Sequence, residues 1–217
     1  MSTPDHESDA QLALSSSHPW TRADSAAGFV LRYVSAMRGQ LIDCLGSEKL
    51  SDHALTLFIG HLVNRGYGGH GQGRLRDFLI LGIRSAAKAA LAKVPETQRP
   101  DFDPHALQPD SPDWIEHWRM CIWELSWRTL EQQQHKHPGQ LDYTVLKLAT
   151  DNPQSTSAML AVQVSTAAGE AIDAARIEQL LPAARQRFTQ IIATEIANTL
   201  HNPTADSIAA ERKALRL

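Results

Sequence analysis

Apolar residues recur three or four positions apart along most of this chain, and no segment alternates polar with apolar long enough to make a half-buried strand. Phe29, Val30, Tyr33, Val34, Met37, Leu41 and Leu45 form one such stripe, which Gly46 stops, and Asp24 stands where an N-cap belongs. Ser51 can cap a second helix that ends near Asn64. Leu75, Phe78, Leu79, Gly82, Ile83 and Ala86 make the stripe of a third, which continues through Ala-rich sequence to Lys93. Helices patterned in this way bury their stripes only against other helices, so the expected fold class is all-α.

Between Val94 and Ser111 the stripe is interrupted by Pro95, Pro100, Pro104 and Pro109 and by several Asp, which predicts an extended linker over 94–111. The stripe resumes with Ser111 as N-cap, Pro112 at the first helical position, and Asp113 and Glu116 in the first turn. Trp114, Trp118, Cys121, Ile122 and Leu125 share one face of this long helix, flanked by Trp123, Trp127 and Leu130. Tryptophans at that spacing belong to a core rather than to a base-stacking platform. A shorter helix follows with Tyr143, Leu146 and Leu148 inward, then one capped by Ser155, one capped by Asp173 and running through Ile177, Leu180, Leu181, Ala184, Phe188, Ile191 and Ile192, and a last one started by Thr204. The chain therefore divides into an acidic N-terminus (1–20), a three-helix domain (21–93), a Pro/Asp-rich linker (94–111) and a second small helical domain (112–217).

Charge is distributed unevenly between these segments. The net formal charge is −3 over 217 residues, yet 21–93 holds ten Lys and Arg against five Asp and Glu, while 1–20 holds three acids and no base. Only the three-helix segment suits a polyanion, or else it presents a solvated basic face. No run of eighteen apolar residues and no basic start followed by an apolar region occurs, which predicts a protein that neither spans a membrane nor is exported. Two cysteines, Cys44 and Cys121, lie far apart in helical patterns, as expected of a reduced cytoplasmic protein rather than of a disulfide framework.

Residues suited to catalysis are sparse. Gly68, Gly69, Gly71 and Gly73 are followed by Arg74 and Leu75 where a phosphate loop has Lys and Ser or Thr, and no β-rich run precedes them, so an interhelical turn is expected. His135 and His137 are two apart and cannot share a helix face. His53 and His61 can, but no Cys or acid completes a zinc set beside them. No enzyme activity and no cofactor is expected.

Several stretches together resemble the extracytoplasmic-function sigma factors of bacterial RNA polymerase, in their planctomycete-type branch. "GQGRLRDFLILGIRSAAKAAL" is similar to that family's Gly-Arg-Phe-Arg-x-Phe-Leu-x-x-x-Leu-Arg segment, which Gly73, Arg74, Arg76, Phe78, Leu79 and Arg84 match in part. "PDWIEHWRMCIWELSW" looks like the Trp-rich helix opening the family's second domain, and "ARQRFTQIIATEIANTL" resembles the end of its promoter-reading helix. The resemblance covers roughly residues 25–217.

This resemblance implies a sigma-factor-like initiation protein whose first domain docks on core RNA polymerase and captures opened promoter DNA. Its second domain would contain a helix-turn-helix reading the major groove. It implies DNA contacts from Arg74, Arg76, Arg84 and Lys88, base contacts from Ala174, Ala175 and Arg176, and phosphate contacts from Arg185 and Arg187. Polymerase docking would fall to Asp52, His53 and Thr56. An anti-sigma or signalling protein is a further partner the resemblance suggests. Where the family has an Asp-Leu-x-Gln-Glu signature this chain reads His53, Ala54, Leu55, Thr56 and Leu57, and Ser85 to Leu91 carries no aromatic base platform. Pro182 stands inside the recognition segment, where it kinks a helix or delays its start. These departures leave open the alternative of a sigma-derived regulatory or protein-interaction module that no longer opens promoters.

Overall fold

The computed structural model of the chain describes residues 26–66, 73–137 and 139–217. The expected N-cap Asp24, the acidic segment 1–20 and the turn glycines Gly68, Gly69 and Gly71 lie outside the described residues. The described residues are all-α: α1 (Ala26–Val30), α2 (Val34–Leu45), α3 (Glu48–Arg65), α4 (Leu75–Leu91), α5 (Pro112–Lys136), α6 (Asp142–Asp151), α7 (Ser157–Ala168), α8 (Ala174–Ala197) and α9 (Ala205–Ala214), with no strand among them. A 3-10 turn, Leu31–Tyr33, separates α1 from α2, where the apolar spacing alone predicts one continuous helix.

Chain contacts divide the molecule into two units. One takes the chain up to Cys121 together with Ile196–Leu217, and the other takes Ile122–Glu195. Composition draws the division elsewhere, at the 94–111 segment. That segment is not an extended spacer: Leu107 is fully buried, the Ala106 carbonyl accepts a bond from Gln40 Nε2 (3.4 Å), and 3-10 turns form at Glu96–Gln98 and Pro104–Ala106. Its prolines and acids serve local turns, as when Asp103 Oδ1 accepts from the His105 amide at 2.7 Å, while its one large aliphatic side chain enters the core.

In the first unit α3 packs against α2 and α4. Gly46, in the left-handed region at φ +61°, closes α2, and Ser47 immediately caps α3 through its hydroxyl and the Leu50 amide. Ser51, the expected cap, is buried one turn further on and donates its hydroxyl to the Ser47 carbonyl. Tyr33, Trp114 and Trp118 fill the interior; the Tyr33 and Trp118 rings stack at 4.9 Å and the two indoles meet at 5.7 Å. The His117 ring lies against Gly39 and reaches Asp43 Oδ2 with Nε2 at 2.7 Å, so α2 and the start of α5 meet through a glycine face.

In the second unit Val145 of α6, Leu160, Ala161 and Val164 of α7 and Ile177 of α8 form a buried cluster, with Leu141, Leu148, Ile172, Leu180 and Leu181 packed around it. Beside it Phe188 contacts Trp123 (5.0 Å) and Trp127 (4.6 Å), and Trp127 meets Tyr143 at 6.0 Å. The tryptophans thus pack into cores in both units, as their spacing predicts. Asp173 caps α8, whose Arg176 amide donates to its Oδ1 at 2.7 Å, and Thr204 caps α9. Thr156 rather than Ser155 caps α7. Pro182 does not delay α8, which begins eight residues upstream at Ala174 and runs through the proline.

Two helical glycines make opposite predictions. A Cβ on Gly82 of α4 would collide with Phe58 Cε2, and the Phe58 ring is buried. Nothing lies within 4 Å of the corresponding position on Gly60 of α3. Ala is favoured over Gly in a helix by roughly 1 kcal/mol, whereas overpacking costs about 1–3 kcal/mol. Gly60→Ala should therefore raise the unfolding midpoint and Gly82→Ala should lower it, read from parallel urea titrations.

Candidate functional site

The sequence-derived candidates fall on three surfaces, the first of them at the start of α4. Gly73 has φ +95°, a backbone region L side chains rarely adopt, and it turns the chain into an extended Arg74 that precedes the helix. Arg74 pairs with Leu200 in an isolated antiparallel bridge: the Leu75 amide donates to the Thr199 carbonyl at 2.8 Å and the His201 amide to the Gly73 carbonyl at 2.9 Å. The Arg74 side chain lies across the first turn of α4, with Nε donating to Asp77 Oδ2 at 2.8 Å and Nη1 3.5 Å from Glu211 Oε2.

Arg76 is turned inwards. Its side chain is 3 % exposed and Glu211's 4 %; Nε donates to Glu211 Oε1 at 2.6 Å, Nη2 to Oε2 at 3.4 Å, and Nη1 to the Pro109 carbonyl at 2.5 Å. The guanidinium expected to hold DNA is thus enclosed in an ion pair between α4 and α9. Arg84 and Lys88, one turn apart on the outer side of α4, are half-buried and exposed respectively. Only these two of the four expected contacts in the first unit present a side chain outward without a carboxylate partner in hydrogen-bond range among the described residues.

The second surface is the outer face of α3, where Asp52, His53 and Thr56 are all exposed. Asp52 is engaged internally: Arg38 Nε and Nη2 donate to its two oxygens at 2.7 and 3.2 Å, and the same Nη2 reaches Glu48 Oε2 at 2.9 Å. That fork holds the Asp52 carboxyl below the usual carboxylate range. Thr56 donates its hydroxyl to the Asp52 carbonyl at 2.8 Å. The His53 side chain makes no hydrogen bond or ion pair among the described residues.

The third surface is the connection from α7 to α8. Gly169, at φ +71°, ends α7, and Ser165 Oγ accepts from the Ile172 amide at 2.9 Å and donates to its carbonyl at 3.2 Å, which fixes the turn. Ile172 packs on the buried cluster, so the turn is anchored from inside as well. Beyond the Asp173 cap, Ala174 is half-buried while Ala175 and Arg176 are exposed at the first turn of α8, and Arg185 is exposed further along. Arg187 behaves differently: its Nη1 donates to Gln140 Oε1 at 2.8 Å and lies 3.1 Å from Asp142 Oδ2, so it ties α8 to the start of α6.

The residue that sequence reasoning missed is Glu211. In α9, Ile208, Glu211 and Leu215 share one face, and in α4, Arg76 shares its face with Leu79, Ile80 and Ile83. A charge of each sign at apolar-face positions was the available signal for a buried pair. Among the described residues no group of three or more His, Cys, Asp or Glu is gathered to hold a metal ion, and no helix is long and apolar enough to cross a membrane. Comparison with protein-family models, with curated proteins and with solved structures found no match.

Proposed function

We propose that the chain is a sigma-factor-like transcription initiation protein that binds core RNA polymerase and promoter DNA. The observation that carries this reading is the geometry of α7 and α8: two helices joined by a stapled, left-handed glycine turn, with the second helix offering its first-turn side chains to solvent. A fixed turn before an exposed helix start supports a helix-turn-helix reading, because base edges in the major groove are reached from the N-terminal turns of the second helix. Ala175 and Arg176 stand there, and Arg185 lies further along the same helix where a phosphate would run. In the first unit Arg84 and Lys88 supply outward positive charge on α4.

Four outward cations set the expected strength. Each neutralised phosphate contributes about −0.9 to the slope of log K against log salt, so Arg84, Lys88, Arg176 and Arg185 acting together predict a slope of about −3 to −4. Fluorescence anisotropy with a labelled DNA duplex at several salt concentrations checks it, and an affinity indifferent to salt contradicts the reading.

A second reading has its own support. Asp52 is held by Arg38, Arg76 is enclosed with Glu211, and Ser85 to Leu91 offers no aromatic side chain for an unpaired base. These features favour a sigma-derived regulator that binds polymerase, an anti-sigma factor or a signalling protein without opening promoters. Run-off transcription separates the two: specific transcripts from core polymerase supplemented with this protein support initiation, and polymerase binding without transcripts supports the regulator.

A further inference from the structure

We propose that α9, with the segment from Thr199 leading into it, is a reversible cover over the start of α4 that withholds Arg74 and Arg76 from nucleic-acid phosphate. The inference rests on the nucleic-acid reading given above and adds a regulatory step to it.

Leu200 and Leu215 bury apolar side chains from this segment, and the rest of the contact is made of interactions that water can replace. Glu211 reaches both arginines, and Arg76 and Glu211 form a buried ion pair of high desolvation cost where two aliphatic side chains would pack at least as stably. Apolar surfaces resist parting, whereas a separated arginine and glutamate are each well solvated, so this pairing favours opening over permanence. The backbone attachment is equally slight. It consists of the single bridge at Arg74 and Leu200, with two hydrogen bonds and no continuing ladder.

The covering segment is also incompletely packed. A cleft of about 320 Å³ lies between it and the start of α4, lined by Gly73, Arg74, His201, Ser207, Ala210 and Glu211. Asn202, in the left-handed region at φ +48°, and Pro203 turn the chain between α8 and α9 and supply the pivot.

Lifting the segment uncovers a specific constellation. Arg74 and Arg76 lose the Glu211 carboxylate, and the Leu75 amide at the positive end of α4 loses the Thr199 carbonyl. Two guanidiniums beside the freed Leu75 amide suit a phosphodiester, with Asp77 still holding Arg74 Nε. In the covered state the carboxylate and the carbonyl occupy those donors, so phosphate and the segment compete for the same groups.

The test uses the full chain and a labelled random-sequence DNA duplex. Glu211→Gln removes the competing charge but keeps an acceptor, and it should bind the duplex about tenfold tighter than the unsubstituted protein, with a salt slope steeper by about 0.9 for each added phosphate contact. Adding Arg74→Ala to Glu211→Gln should cancel most of that gain. Hydrogen exchange on the unsubstituted protein gives an independent readout should Glu211→Gln fold poorly. Duplex should accelerate exchange of the His201 amide, whose Gly73 acceptor the opening removes and which no phosphate replaces. Equal affinity and slope for the two proteins, or duplex binding that leaves the His201 amide protected, overturns the cover while the nucleic-acid reading stands. Failure of both proteins to bind duplex in a salt-dependent way overturns the cover together with that reading.

Discussion

Glu211→Ala should destabilise the first unit by about 3–5 kcal/mol, because it leaves the Arg76 guanidinium buried with no full partner. The remaining carboxylate oxygen in range is Asp77 Oδ1, 3.6 Å from Arg76 Nη1, beyond hydrogen-bond distance, and the other oxygen of that carboxylate is bonded to Arg74 Nε. Arg76→Met alone should cost a similar amount for the opposite reason, since it strands the Glu211 carboxylate. The double variant Arg76→Met with Glu211→Leu should regain most of the loss, because two aliphatic side chains need no compensation and the Pro109 carbonyl, half-buried, can turn to water. A coupling of several kcal/mol in this cycle, measured by urea unfolding, is the signature of a buried pair. Additive losses would mean that the two side chains are in effect solvated.

Trp118→Ala should be comparably severe. The indole is fully buried, stacked on Tyr33 at 4.9 Å and against Trp114 at 5.7 Å, and truncating such a side chain costs about 3–5 kcal/mol. Marginal stability of a domain is on the order of 5–15 kcal/mol, so this single truncation removes a large share of it and should lower the unfolding midpoint markedly. Trp118→Phe separates packing from polarity. It keeps a ring on Tyr33 and removes an indole N–H that finds no acceptor among the described residues. The cost should then fall to about 1–2 kcal/mol, since the lost contact area is partly offset by removal of an unpaired donor. Thermal unfolding followed by circular dichroism distinguishes the two variants, and equal losses would show that the indole nitrogen matters more than the ring stack.

The features legible in the sequence were those that depend on neighbours three or four residues away. Gly46 as a stop, Ser111, Asp173 and Thr204 as caps and the inward Trp114 and Trp118 all follow from local chemistry, and the structure has them. Errors arose where two residues within one turn could do one job. Ser47 caps α3 because Gly46 has already reversed the chain, which leaves Ser51 a full turn inside; Thr156 takes the role expected of Ser155 for a similar reason of register. The 94–111 segment reads as a spacer because prolines and acids dominate it, yet one aliphatic residue, Leu107, suffices to hold it in the core.

For the candidate site the limit was different. Residue type and spacing identify Arg74, Arg76 and Arg187 as cations, and only for Arg76 does an apolar-face position signal burial; none of them names its partner. Partners lie 135 residues away for Arg76 and 47 for Arg187, and no local pattern encodes such distances. Arg84, Lys88, Arg176 and Arg185 were legible as outward charges because their helices bury the opposite stripe.

Co-purification of the tagged protein with core RNA polymerase, followed by run-off transcription from a library of genomic fragments, tests the central claim most directly. The account predicts a stable complex that initiates at specific sites, with initiation reduced when Arg176 and Arg185 are replaced by Ala. A protein that binds neither polymerase nor duplex DNA would contradict it.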